Sequence, residues 1–146
     1  MQSAIDLSSR LGRVREYLSR DPDNLNLLAE SADLSLALGR LSDARAAVER
    51  GLAGSPGNPF FRSRLSSIAL AEQKWDEAIE LCRGLLAEGH DDPAIRYNLG
   101  RGLLFSGQYE GAKDQFEGLL GREGVQGPRL KGARLEYFRL EYFRSD

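Results

Sequence analysis

Few residues in this chain of 146 carry the chemistry of a reactive centre. His90 is the single histidine, between Gly89 and Asp91, and Cys82 is the single cysteine. One of each is too few for a structural zinc site, and a lone cysteine allows no intrachain disulfide. His90 reads as a solvated turn residue and Cys82 as a small core hydrophobe. Glu77, Glu80, Glu88, Asp91 and Asp92 lie near one another in sequence, as carboxylates on a solvated helix face also do. No Ser, His and Asp set beyond a trivial one can be assembled, and no glycine-rich loop follows a strand to hold a phosphate. The expectation is therefore no catalytic residue, no metal and no cofactor. Recognition chemistry is better supplied. There are 17 Arg against 3 Lys, and the guanidinium is a planar fork suited to carboxylates. Codon bias would give the same excess.

The elements that must position these side chains are helical. Val, Ile and Thr number 3, 4 and 0, against 24 Leu and 15 Ala. β-Branched residues favour strands, whereas Leu and Ala keep their freedom in helices. That balance excludes sandwiches, barrels and doubly wound sheets, and leaves an all-α chain of about one domain. With 41% hydrophobic and 29% charged residues the composition is that of a globular protein rather than a disordered one. A net charge of −2 argues against nucleic acid as a partner, since phosphate neutralisation needs a basic footprint. No run of 18 apolar residues occurs, so no membrane insertion is expected. Residues 1–20 do not resemble a signal peptide, so the expected setting is the cytoplasm, or the periplasm if a signal has been removed.

The chain repeats itself. A shift of 34 residues lays Pro59–Asp92 on Pro93–Gln126 with 8 identities, including Pro59/Pro93, Leu65/Leu99, Ala78/Ala112 and Gly84/Gly118. Chance would give roughly two at ordinary residue frequencies. Each period divides into two helices. The first opens with a cap followed by proline, Asn58-Pro59 and Asp92-Pro93. A turn follows at Gly39, Gln73-Lys74 or Gly107, and Gly54, Gly89 and Gly124 lie where the second helices should stop. The spacing predicts helices near 3–19, 24–38, 42–53, 59–72, 76–88, 93–106, 110–121 and 128–143.

This pattern resembles the tetratricopeptide repeat, whose signature is Trp-x2-Leu-Gly-x2-Tyr, then Ala-x3-Phe, then Pro. The third unit matches with Leu99, Gly100, Ala112 and Phe116. The second has Leu65, Ser66, Ala78 and Cys82, and the first has Ala32, Ala44, Val48 and Pro56. Ala32, Ser66, Gly100, Ala44, Ala78 and Ala112 supply the small residues needed where helices cross closely. Trp75, Tyr109 and Leu41 fill the large slot at the turn. Arg62 and Arg96 depart from the pattern, standing where the family usually has an aromatic residue. So do His90 and Gly124, in place of the closing proline. The resemblance implies a right-handed superhelical α-solenoid of about three helix-turn-helix units with flanking N- and C-terminal helices. In a single domain of 1–146 these would be a capping helix at 3–20, repeats at 25–58, 59–92 and 93–126, and a C-terminal helix in 127–146.

The resemblance also implies where partners bind. First helices of the family line the inner groove, so their outward residues are the contact candidates. In this chain they are Asn26, Glu30 and Asp33 from the first unit, Phe60, Ser63, Arg64 and Ser67 from the second, and Tyr97, Asn98, Arg101 and Phe105 from the third. An extended peptide would be held by Asn98 on its backbone, by Arg64 and Arg101 on an acidic group, and by Phe60, Tyr97 and Phe105 on apolar side chains. Ordinary solvated surface is the alternative. Some family members clamp a C-terminal carboxylate with Lys and Asn in the first repeat. The matching slots here hold Ala29 and Asp33, which argues against that clamp.

The flanks complete the expectation. Leu7, Leu11, Val14 and Leu18 give the stripe of an amphipathic helix that caps the first repeat. Residues 135–144 are a tandem of Leu-Glu-Tyr-Phe-Arg, which puts Leu135, Tyr137, Phe138, Tyr142 and Phe143 in one short stretch. Either that helix folds back over the third repeat or it forms an oligomer interface, a homodimer being the simplest case. The leading expectation is thus a non-catalytic module that binds a peptide or protein surface. The alternatives are an assembly scaffold built through the aromatic C-terminal helix, or a chaperone for a secreted or hydrophobic client, as in small three-repeat bacterial proteins of similar size.

Overall fold

The computed structural model of the chain describes residues 3–121. Among them are seven α-helices and no strand: α1 (Ala4–Arg20), α2 (Leu25–Ala37), α3 (Leu41–Gly54), α4 (Pro59–Ala71), α5 (Trp75–Ala87), α6 (Pro93–Phe105) and α7 (Tyr109–Leu120). Every helix expected within 3–121 is present, with ends shifted by at most one residue. The expected helix at 128–143 and its interface candidates Leu135, Tyr137, Phe138, Tyr142 and Phe143 lie outside the described residues. The chain divides between Glu72 and Gln73 into two compact units.

Cap chemistry starts the first helix of each repeat. Asn24, Asn58 and Asp92 each accept from backbone N–H groups of the first turn, and Pro59 and Pro93 occupy the first helical positions of α4 and α6. The second helices α3, α5 and α7 start after Arg40, Lys74 and Gln108, none of which makes a side-chain cap bond. Their starts are set by the preceding turn instead. Gly39 and Gly107 take left-handed φ of +74° and +85°. The next N–H then folds back, Arg40 onto the Ser35 carbonyl and Gln108 onto that of Leu103, both at 2.8 Å. Gln73 holds the same slot in the middle repeat at φ +63°, a conformation that strains a residue with a Cβ.

In the first unit, Leu11 and Val14 of α1 pack with Leu34 of α2, flanked by Leu7 and Leu18 as the stripe predicts. A second cluster joins α2, α3 and α4 through Leu28, Ala32, Ala44, Val48, Phe61 and Ile68. In the second unit Cys82 and Leu85 of α5, Leu99 and Leu103 of α6, and Ala112, Phe116 and Leu119 of α7 form one core. The six small crossing residues are all buried. Phe116 lies directly over Gly100, where a Cβ would come within 2.6 Å of the ring. Tyr109 departs from expectation: it is 52% exposed, so it does not fill a turn slot as half-buried Trp75 and Leu41 do.

Candidate protein-binding site

In the first unit the expected contact residues come from α2 and α4. Asn26, Glu30 and Asp33 are exposed, and Ser63, Arg64 and Ser67 are half-buried. Arg64 is forked onto Asp33, with Nε to Oδ1 at 3.0 Å and Nη2 to Oδ2 at 3.4 Å. Its Cζ also lies 3.6 Å from the centre of the Phe60 ring. Phe60 in turn meets the buried Phe61 edge-on at 5.5 Å, which fixes an otherwise exposed ring. The guanidinium is therefore already occupied on its fork and on its face. Glu30 is engaged as well, by Arg10 of α1 at 3.5 Å.

In the second unit the residues come from α6, with one addition from α5. Arg101 has Tyr97 one turn before it and Phe105 one turn after, at 5.6 and 5.8 Å from Cζ to the ring centres. Helical spacing of i, i+4 and i+8 produces this arrangement directly. Tyr97 rests against the buried Phe116 at 6.2 Å. Phe105 is 43% exposed and stacks at 4.9 Å, with a tilt of 31°, on Trp75 at the start of α5. Arg101 makes no ion pair with any described residue. Asn98 is buried at 8% exposure, so it stands less far out than a surface contact would, because the i+3 position from Ile95 turns it toward the core side of α6.

The sequence offers Arg64, Arg101 and the aromatic residues as contact candidates, and two of their partnerships are seen only in the structure. The Arg64–Asp33 pair was within reach, since both residues face outward from successive first helices in the 34-residue register. Trp75 beneath Phe105 carried no such signal, because Trp75 occupies a turn slot. The two arginines at the family's aromatic slot prove to be structural ties. Arg96 forks onto Asp91 at 2.7 and 3.0 Å and reaches Gln115 of α7 at 2.9 Å. The Asp91 hydrogen bond, more than the charge itself, raises the Arg96 pKa above its ordinary value against the opposing effect of burial. Arg62 donates to the Gly57 carbonyl at 3.3 Å.

Two open depressions of about 530 and 450 Å³ lie along α5 and the α6–α7 turn. They are lined by Asp76, Glu80, Arg83 and Gln108 among others, and hold none of the expected contact residues. Among the described residues no group of three or more His, Cys, Asp or Glu is placed to hold a metal ion. No described helix is long and apolar enough to cross a membrane. Cys82 is fully buried, and His90 is exposed.

Paired helices with small residues at each crossing and polar and aromatic side chains on the first-helix faces define a helical-repeat protein built to present side chains to another chain. The tetratricopeptide repeat sequence pattern matches residues 11–59, 30–93 and 69–135. The chain belongs to the tetratricopeptide repeat family, with its all-α solenoid fold, and is a protein–protein interaction module. Members of this family are in general non-catalytic. The chain is 26% identical over 107 residues to the TPR repeat-containing protein YpiA of Bacillus subtilis (strain 168), covering 73% of this chain. It spans about a quarter of that relative's length (25%). Among solved structures it is similar to MamA RS-1 (TM-score 0.73, 13% identity, 96% of this chain and 88% of that one). It is also similar to MamA AMB-1 (0.68, 20%, 92% and 74%) and to the P58(IPK) TPR domain (0.71, 22%, 97% and 44%). At these identities the structural likenesses establish the fold.

Proposed function

We propose that this chain binds a peptide or protein segment on the outward faces of its first helices, without catalysing a reaction. The observation that carries the reading is an arginine held against aromatic rings in each unit, Arg64 on Phe60 and Arg101 between Tyr97 and Phe105. Half-buried guanidinium groups and partly exposed rings are the side chains enriched at binding hot spots. Asn26, Asp33, Ser63 and Ser67 complete the proposed contact set, with buried Asn98 behind it. The partner is a protein rather than a nucleic acid, given the net charge of −2. A cytoplasmic, bacterial setting is part of this reading, and cell fractionation checks the compartment.

The test is an affinity pull-down from native extract with wild-type protein and with a double charge reversal, Arg64→Glu and Arg101→Glu. Loss of the co-purifying partner with unchanged helical circular dichroism supports the first-helix faces as the site. Unchanged capture would remove them. A second reading, self-association, rests on the aromatic tandem at 135–144. It expects a dimer by light scattering that becomes a soluble monomer when residues 128–146 are removed. A monomer at high concentration with the full chain would end it.

A further inference from the structure

The two arginine–aromatic stations differ in one chemical respect. Arg64 spends its Nε and Nη2 edge on Asp33, so that pair offers a partner little net charge. Arg101 is flanked by two rings, and rings accept no in-plane hydrogen bond. Its five N–H donors meet no carboxylate among the described residues. A half-buried guanidinium with its fork open is a complement to a carboxylate, and the flanking rings lower the local polarity in which that pair would form. Next to it, the exposed part of Phe105, fixed by its stack on Trp75, is a rigid apolar shelf. The partner chemistry that satisfies both is an acidic group beside an apolar side chain.

We propose that the second unit reads an internal Asp or Glu of its partner on Arg101, with a neighbouring apolar or aromatic side chain on the Phe105–Trp75 shelf, and that Arg64, already paired with Asp33, is not the carboxylate reader. This rests on the peptide-binding reading above and narrows it. A side-chain carboxylate is preferred to a chain terminus because Ala29 and Asp33 occupy the slots that would have to grip a terminal carboxylate.

The experiment pans a phage-displayed random dodecapeptide library, fused through its C-terminus so that only side-chain carboxylates are free. Targets are the full chain and the variants Arg101→Gln, Arg101→Lys and Arg64→Gln, each confirmed as folded by circular dichroism. The expected wild-type consensus is Asp or Glu adjacent to Phe, Tyr, Trp or Leu, kept on Arg64→Gln and lost on Arg101→Gln. A synthetic consensus peptide is then titrated against the fluorescence of Trp75, the single tryptophan. Arg101→Gln should weaken its Kd about tenfold or more, the usual loss for one charge-assisted hydrogen bond, and by more than Arg64→Gln does. Arg101→Lys, which keeps the charge but not the fork, should fall between. A consensus without acidic residues, or one that survives Arg101→Gln, overturns the inference while leaving peptide binding intact. Enrichment of no peptide on any target overturns both readings.

Discussion

A methyl group added at Gly100 has no room, because the Phe116 ring would lie 2.6 Å from it and the surrounding core residues are fully buried. Gly100→Ala should therefore destabilise the chain by about 1–2 kcal/mol in urea unfolding. Overpacking costs about 1–3 kcal/mol, and the helix propensity gained returns up to about 1. Gly12, with open space around it, is the control that should gain stability from the same change. Ser35 presents the opposite situation. Its side chain is fully buried and its Oγ has no hydrogen-bond partner, at a slot where the next two repeats carry Ala69 and Leu103. Ser35→Ala removes a desolvated hydroxyl and improves helix propensity, so the midpoint of unfolding should rise, by about 1 kcal/mol in free energy. A fall at Ser35→Ala would mean that the hydroxyl is satisfied in solution.

At the scale of the helix, legibility followed local chemistry. The starts of α4 and α6 could be read to the residue, because Asn58-Pro59 and Asp92-Pro93 hold both a capping oxygen and a pre-set φ. The starts of α3, α5 and α7 were each read one residue late. Arg40, Lys74 and Gln108 offer no cap bond, so nothing at those positions marks the boundary. The small crossing residues and the core position of Cys82 were legible because the 34-residue register assigns a slot to each. The state of the candidate site was not. Whether a guanidinium is paired depends on a carboxylate 31 residues away in the case of Arg64, and Arg101 has the same local signature with the opposite outcome. The cap reading makes a direct prediction. Asn58→Ala and Asp92→Ala should each cost about 1 kcal/mol in denaturant unfolding, since each removes an acceptor from first-turn N–H groups. Gln108→Ala, at a start without a cap bond, should cost no more than a few tenths, as expected for a surface change. Equal costs at all three would show that helix starts here are governed by packing alone.

At the scale of the molecule, contacts among the described residues of each unit run between helices near in sequence. α1 packs on α2, α2 on α3 and α3 on α4 in the first unit, and α5 on α6 and α6 on α7 in the second. Such arrays are stabilised by a sum of nearest-neighbour terms, so damage at an end should stay at that end. Leu11, 1% exposed, is the centre of the contact between α1 and α2. Leu11→Ala should cost about 2–5 kcal/mol at that contact. Little else holds α1 once that contact is lost, since exposed ion pairs such as Arg15–Asp43 at 3.0 Å add little. The expected result is a first phase at low urea in which helical circular dichroism falls by the share of α1, 17 residues. Fluorescence of Trp75, in the second unit, should hold its wild-type midpoint through that phase. A single concerted shift of both signals by the same amount would mean instead that the helices unfold as one cooperative block, with the loss at Leu11 shared over the entire chain.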